Sequence, residues 1–213
     1  MSKFLRFLFF VLVVRPLVLV VIGLRIRNRE RLPAGGPAIL AANHNSHLDT
    51  MVLMALFPLR MLLKLRPVAA ADYFLVNPVL AWFALEIVGI VPISRKGGSA
   101  HEDPLAGAEA ALDEGAVLIL FPEGTRGEPE KLSAFKAGVA HLAKRRPDVP
   151  VIPVFLHGLG KALPRGETLL VPFFCDVMVG ESLKWEGDRV SFMDALTRRM
   201  QALASEGQFT PWE

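Results

Sequence analysis

The chain has 213 residues, 52% of them apolar and 21% charged, a composition that suits one compact domain with a buried core and excludes a disordered or collagenous chain. Its one cysteine, Cys175, excludes an internal disulfide and fits a reducing compartment. The net charge of +3 hides an asymmetry: Lys3, Arg6, Arg15, Arg25, Arg27, Arg29 and Arg31 meet only Glu30 in the first 31 residues, so the rest of the chain is net acidic and no nucleic-acid face is expected on it.

The first element is the apolar run from Phe4 to Leu24, interrupted by Arg6, Arg15 and Pro16. A spanning helix needs roughly 20 apolar residues, and the uninterrupted stretches 7–14 and 16–24 are shorter. A central arginine costs about 2.5–3.5 kcal/mol on insertion scales. The pattern predicts two short helices bent at Arg15-Pro16 and dipping into one leaflet; a span of 7–24 and a buried core helix are the alternatives. Apolar and basic residues together suit an anionic membrane surface. No small-residue cleavage site follows, so no secretory signal peptide is expected. Residues 1–31 are accordingly read as a membrane-associating segment and residues 32–213 as the folded domain.

Leu32 to Gly36 reads as a linker, and beyond it strands and helices alternate. Strands are predicted over 37–42, 68–71, 90–93, 116–121, 151–156, 169–174 and 176–179. Helices are predicted over 48–57, stopped before Pro58, and from Pro78 to 87, then over 104–114, 135–146 and 188–203. This alternation implies an α/β domain with a largely parallel sheet flanked by helices. In such sheets ligands gather at the carboxyl ends of the strands. His44, Arg95 and the Glu123–Arg126 block each follow a predicted strand, so all three are expected on one edge.

Two blocks carry chemistry. In Asn43-His44-Asn45-Ser46-His47-Leu48-Asp49, His44 and Asp49 are five residues apart. On one helix they would point about 140° apart. They meet only if His44 lies in the loop and Asp49 in the first helical turn. Ser46 suits the N-cap and puts Asp49 at the third helical position, a capping-box pattern. Asp49 then accepts from one imidazole nitrogen and leaves the other as a base. A plain cap with solvated histidines, and a metal site of His44, His47 and Asp49, are the other readings. In Phe121-Pro122-Glu123-Gly124-Thr125-Arg126, Arg126 is a planar donor suited to phosphate, and Arg95 can reach the same anion. A surface ion pair between Glu123 and Arg126 is the alternative. No nucleotide-binding glycine loop and no serine-hydrolase elbow is present, so a base acting directly on a substrate hydroxyl is expected.

The chain resembles the glycerolipid acyltransferases typified by 1-acylglycerol-3-phosphate acyltransferase. The resemblance lies in Asn43, His44, Ser46 and Asp49; in Gly89, Ile93 and Arg95; in Phe121 to Arg126; in Val151, Ile152, Pro153 and Val154; and in Phe135 to Gly138. These blocks run in order over about residues 37–156. Gly127 stands where serine is common, and Pro92 and Ser94 replace an aromatic residue and an acid. The resemblance implies an acyl transfer from acyl-CoA or acyl-carrier protein to the free hydroxyl of a lysophospholipid, most simply 1-acylglycerol 3-phosphate. It implies His44 as base and Asp49 as its orienting group. Arg95, Glu123, Gly124, Thr125 and Arg126 would hold the acceptor's phosphate and glycerol, with Asn43, Ser46, Gly89, Pro122 and Pro153 in support. It implies no metal and no cofactor beyond the thioester co-substrate, membrane lipids as partners, and a place on the cytoplasmic face of the inner or plasma membrane.

Overall fold

A computed structural model describes residues 1–46, 48–94, 103–127, 131–162, 174–207 and 209. Seven strands form one sheet: β1 (Leu24–Arg27), β2 (Ala38–Ala42), β3 (Leu65–Ala70), β4 (Val91–Ile93), β5 (Val117–Leu120), β6 (Val151–His157) and β7 (Cys175–Val179). Their order is β1-β7-β6-β2-β5-β3-β4. The β6–β7 ladder is antiparallel, and the other ladders are parallel. The expected largely parallel sheet is therefore present. The helices are α1 (Ser2–Ile22), α2 (Leu48–Ala55), α3 (Ala71–Phe74), α4 (Pro78–Val88), α5 (Ala106–Asp113), α6 (Gly138–Arg145), α7 (Leu159–Ala162) and α8 (Arg189–Glu206).

The central strands are apolar on both faces because helices cover both. Along β2, Ala38, Leu40 and Ala42 belong to one core with Phe10, Val14 and Leu53, while Ile39 and Ala41 belong to the other with Leu112, Leu142 and Leu196. Local chemistry sets several helix starts. The Asn77 side chain accepts the N–H groups of Val79 and Leu80 at 2.8 and 3.3 Å, ahead of Pro78 at the first helical position. Asp188 accepts from the Ser191 N–H at 2.7 Å and caps α8.

The structure differs from the sequence reading at several elements, the unexpected short helices α3 and α7 among them. First, α1 is not divided at Arg15-Pro16: both residues keep helical angles, with φ −65° and −58°, and the helix runs unbroken from Ser2 to Ile22. The turns over Phe10–Val14 and Leu17–Ile22 are π-helical, and such local adjustment accommodates the N–H that proline lacks. Its buried residues, Arg6, Phe10, Val14, Val18 and Ile22, are spaced by four, a stripe that wide π turns keep on one face and a strict 3.6-residue helix does not.

Second, residues 24–27, read as part of the membrane-associating segment, form an edge strand paired with β7. Third, β3 starts at Leu65, earlier than expected, and passes through Pro67. It pairs with β5 through Leu65–Pro67 and with β4 only from Val68 on, so the proline interrupts no β4 ladder. Fourth, α6 starts at Gly138 rather than 135. The strand expected at 169–174 lies outside the described residues except for Phe174.

Candidate active site

The loop after β2 carries His44, and its shape follows from three side chains. Asn43, 1% exposed, donates from Nδ2 to the Leu156 carbonyl at 2.8 Å, and its Oδ1 accepts the Leu156 N–H at 2.7 Å. A side-chain amide thus continues the β2–β6 ladder after β2 has turned away. Ser46 precedes α2, and its Oγ accepts the Leu48 N–H at 3.3 Å. Asp49, fully buried, reaches back to accept the N–H groups of Ser46 and Asn45 at 2.8 and 2.6 Å, completing the capping arrangement.

The same Asp49 Oδ2 lies 2.9 Å from His44 Nδ1. The contact expected from the five-residue spacing is present, with the histidine in the loop and the aspartate in the first turn. The Asp49 pKa is pushed up by burial, against the hydrogen bonds from His44, Ser46 and Asn45. With Nδ1 bound to the carboxylate, Nε2 is the ring nitrogen left for a substrate.

The loop after β5 meets His44 through contacts that the sequence did not suggest. Glu123 is 3% exposed, and its Oε1 accepts the His44 N–H at 3.1 Å. Gly127 donates its N–H to the His44 carbonyl at 3.0 Å. Phe121 stacks on the imidazole, with centroids 4.1 Å apart and planes at 18°. Burial pushes the Glu123 carboxyl up, opposed by the His44 N–H and by Ser133. A Cβ at position 127 would fall 2.8 Å from Ser133 Oγ and 3.0 Å from Glu123 Oε2. Ser133 therefore occupies the space a larger residue at 127 would need.

A cavity of about 610 Å³ opens beside His44. Its wall is mostly apolar, including Met51, Phe74, Leu80, Phe83, Val88 and Ile90, and Gly124, Lys136 and His141 line it as well. Gly124 has φ +74°, a left-handed conformation that glycine adopts without strain. Pro122 is buried, and its carbonyl accepts the Lys136 N–H at 2.8 Å. Thr125 is exposed and Arg126 half-buried; neither lines the cavity. Arg95 and His47 lie outside the described residues, and Ser94, just before Arg95, lines the cavity.

Two supporting residues sit away from the cavity. Pro153 is buried in β6 opposite Ala41, and its carbonyl accepts the Gly180 N–H at 2.8 Å. Gly89, φ +77°, ends α4 against the Arg6 guanidinium. Among the described residues no group of three histidine, cysteine or acidic side chains could hold a metal ion.

An imidazole held by a buried carboxylate, at the carboxyl edge of a largely parallel sheet and beside a mostly apolar cavity, can accept and return a proton. Comparison with known proteins narrows this. The family model described as Acyltransferase matches residues 23–157. A chloroplastic 1-acyl-sn-glycerol-3-phosphate acyltransferase of Brassica napus is 32% identical over 142 residues, 66% of this chain and 39% of the relative. The 1-acyl-sn-glycerol-3-phosphate acyltransferase of Pseudomonas aeruginosa is 29% identical over 191 residues, 88% of this chain and 70% of the relative. The crystal structure of the 1-acyl-sn-glycerophosphate acyltransferase PlsC from Thermotoga maritima superposes with a TM-score of 0.72 at 20% identity, covering 89% of this chain and 74% of that one, and shows the same fold. The chain belongs to the acyltransferase family. It spans about two fifths of the length of the plant relatives, at 39% and 38%.

Proposed function

We propose that this protein transfers an acyl group from acyl-CoA or acyl-carrier protein to the free hydroxyl of 1-acylglycerol 3-phosphate, giving phosphatidic acid at a membrane surface. The observation that carries the reading is the 2.9 Å His44–Asp49 contact at the wall of the apolar cavity. Asp49 holds the Nδ1 proton, so Nε2 accepts the proton of the acceptor hydroxyl as its oxygen attacks the thioester carbonyl. The carbon–sulfur bond then breaks, and the imidazolium returns its proton to the leaving thiolate. The products are an ester and a free thiol. The cavity takes an acyl chain, and its volume lies in the range of small-molecule sites.

Membrane attachment is part of this reading. Helix α1 packs against α4, with the rings of Phe9 and Phe83 edge to face at 5.3 Å. The outward sides of the pair expose Phe4, Leu12, Val79, Trp82 and Leu85. Leu80 and Phe83 of α4 also line the cavity, so a chain entering from a lipid leaflet has a short apolar route to His44. The cytoplasmic leaflet is the side that holds both thioester donors.

The test is purified protein with a panel of lysolipids and both donors, the product read by mass. Formation of a diacyl product from 1-acylglycerol 3-phosphate supports the reading. Thioester consumption that yields only free fatty acid would sink it.

A further inference from the structure

We propose that Lys136 binds the acceptor's phosphate. This rests on the acyl-transfer reading above and names a residue that reading does not use. The sequence pointed to Arg95 and Arg126 for the phosphate. Arg126 does not line the cavity, and among the described lining residues Lys136 is the one lysine or arginine.

The position of Lys136 is built. Its N–H donates to the Pro122 carbonyl at 2.8 Å, which ties it to the loop that also holds His44. Its side chain lies flat on Gly124: a Cβ there would fall 2.8 Å from Nζ, 2.9 Å from Cδ and 3.0 Å from Cε. The absence of a side chain at 124 is what admits the lysine stem. The Lys136 side chain thus lines the mostly apolar cavity with no carboxylate partner among the described residues. An anion there gains a strong charge-assisted hydrogen bond.

The chemistry of the acceptor fits this spacing. In a 1-acylglycerol 3-phosphate the reacting hydroxyl and the phosphate sit on adjacent carbons. If the hydroxyl is at His44 Nε2, its phosphate must lie within the same cavity end. Gly124 and Lys136 line the cavity with His44, and the 122–124 loop joins the two sides: Pro122 accepts the Lys136 N–H and Glu123 accepts the His44 N–H. The thioester donor also carries phosphates, and the measurements below separate the two sources.

The experiment uses the full-length protein in mixed micelles, with Lys136→Gln and Lys136→Arg. Lys136 is exposed, so neither change should move the thermal midpoint appreciably. Lys136→Gln should raise KM for a 1-acylglycerol 3-phosphate roughly ten- to a hundredfold, the size of a lost hydrogen bond to a charged group, with the donor KM within about twofold. Lys136→Arg should recover most of the loss. Glycerol 3-phosphate, a soluble fragment of the acceptor, should compete with the acceptor in the wild type and bind Lys136→Gln at least about tenfold more weakly. An unchanged acceptor KM, or a rise confined to the donor KM, overturns the proposal. If the wild type transfers to no acceptor at all, the acyl-transfer reading fails. Glycerol 3-phosphate binding, present in the wild type and lost in Lys136→Gln, then still supports the lysine as a phosphate ligand, and equal binding refutes it.

Discussion

The imidazole of His44 is fixed through its ring nitrogen by Asp49, through its face by Phe121, and through both main-chain groups by Glu123 and Gly127. A base held in this way pays little entropy to reach its reactive orientation. His44→Ala should lower kcat by about 10²–10⁴-fold, the usual contribution of a positioned base, with little change in thermal midpoint. Asp49→Asn should fall in the same range, because the amide no longer selects the tautomer. Steady-state rates with one donor and one acceptor check both, and a His44→Ala enzyme of near wild-type rate would remove the base assignment. Glu123 allows a test of stability. Its folded-state pKa is raised by burial, so the folded state favours the protonated form. The stability this gives is complete below the unfolded-state pKa and is lost as pH rises through the folded-state value. Glu123→Gln keeps an oxygen for the His44 N–H and never charges. Relative to wild type its thermal midpoint should therefore rise over the window that opens at the ordinary glutamate value, about pH 4, and extends upward. A midpoint difference that stays flat over that window contradicts the raised pKa. The His44–Asp49 contact was legible because a capping box is local. The Glu123–His44 bond joins residues 79 apart, and no local pattern encodes it.

At the scale of elements, the least legible feature was how α1 joins the sheet. Arg6 is 4% exposed and donates from Nη2 to the Leu65 carbonyl at 2.8 Å, at the start of β3. Its guanidinium lies over Gly89, where a Cβ would come within 2.2 Å of Nη1. Gly89 is thus required twice, by its φ of +77° and by Arg6. From sequence Arg6 read as an interruption in an apolar run, since composition does not show which carbonyl a guanidinium will reach. The alternation of strands and helices fixed the rest of the order well, because period and punctuation are local. Strand β1 escaped although Leu24–Arg27 alternates apolar residues with arginine between Gly23 and Asn28, both at positive φ, because its arginines were counted with the basic apolar segment before it. Gly89→Ala should cost about 1–2 kcal/mol for the left-handed backbone, and more as Arg6 is displaced. Combining Gly89→Ala with Arg6→Met removes the collision. The double variant should therefore be less destabilised than the sum of the two single changes. Urea unfolding of the four proteins measures this, and simple additivity would separate Gly89 from Arg6.

At the scale of the whole molecule, α1 belongs to both the core and the surface. Phe10, Val14, Val18 and Ile22 are each at most 2% exposed and share a core with β2 and α2. Burying a side chain of this kind contributes about 1.5–3 kcal/mol, so four of them approach the total stability of a typical domain. Several arginines of this region are tied to the fold as well. Arg6, Arg15, Arg27, Arg29 and Arg31 donate to the carbonyls of Leu65, Phe57, Glu206, Leu56 and Val179. Of the two forces that composition suggested for membrane binding, insertion should then be the larger. Exposed apolar residues of α1 and α4, among them Leu12 at 62% and Trp82 at 48%, supply it without serving the core. Two kinds of variant should therefore separate cleanly. Deleting residues 2–22 should leave a chain that does not refold in water, as its circular dichroism would show. Leu12→Asp with Trp82→Asp should keep the fold, with a thermal midpoint near wild type, and should move the protein from the membrane to the soluble fraction. The wild type should stay on anionic vesicles in molar salt, where the Debye length is only about 3 Å, and leave in detergent. Release by salt alone, or a double variant that stays bound, would show that charge and not the α1–α4 surface holds the protein to lipid.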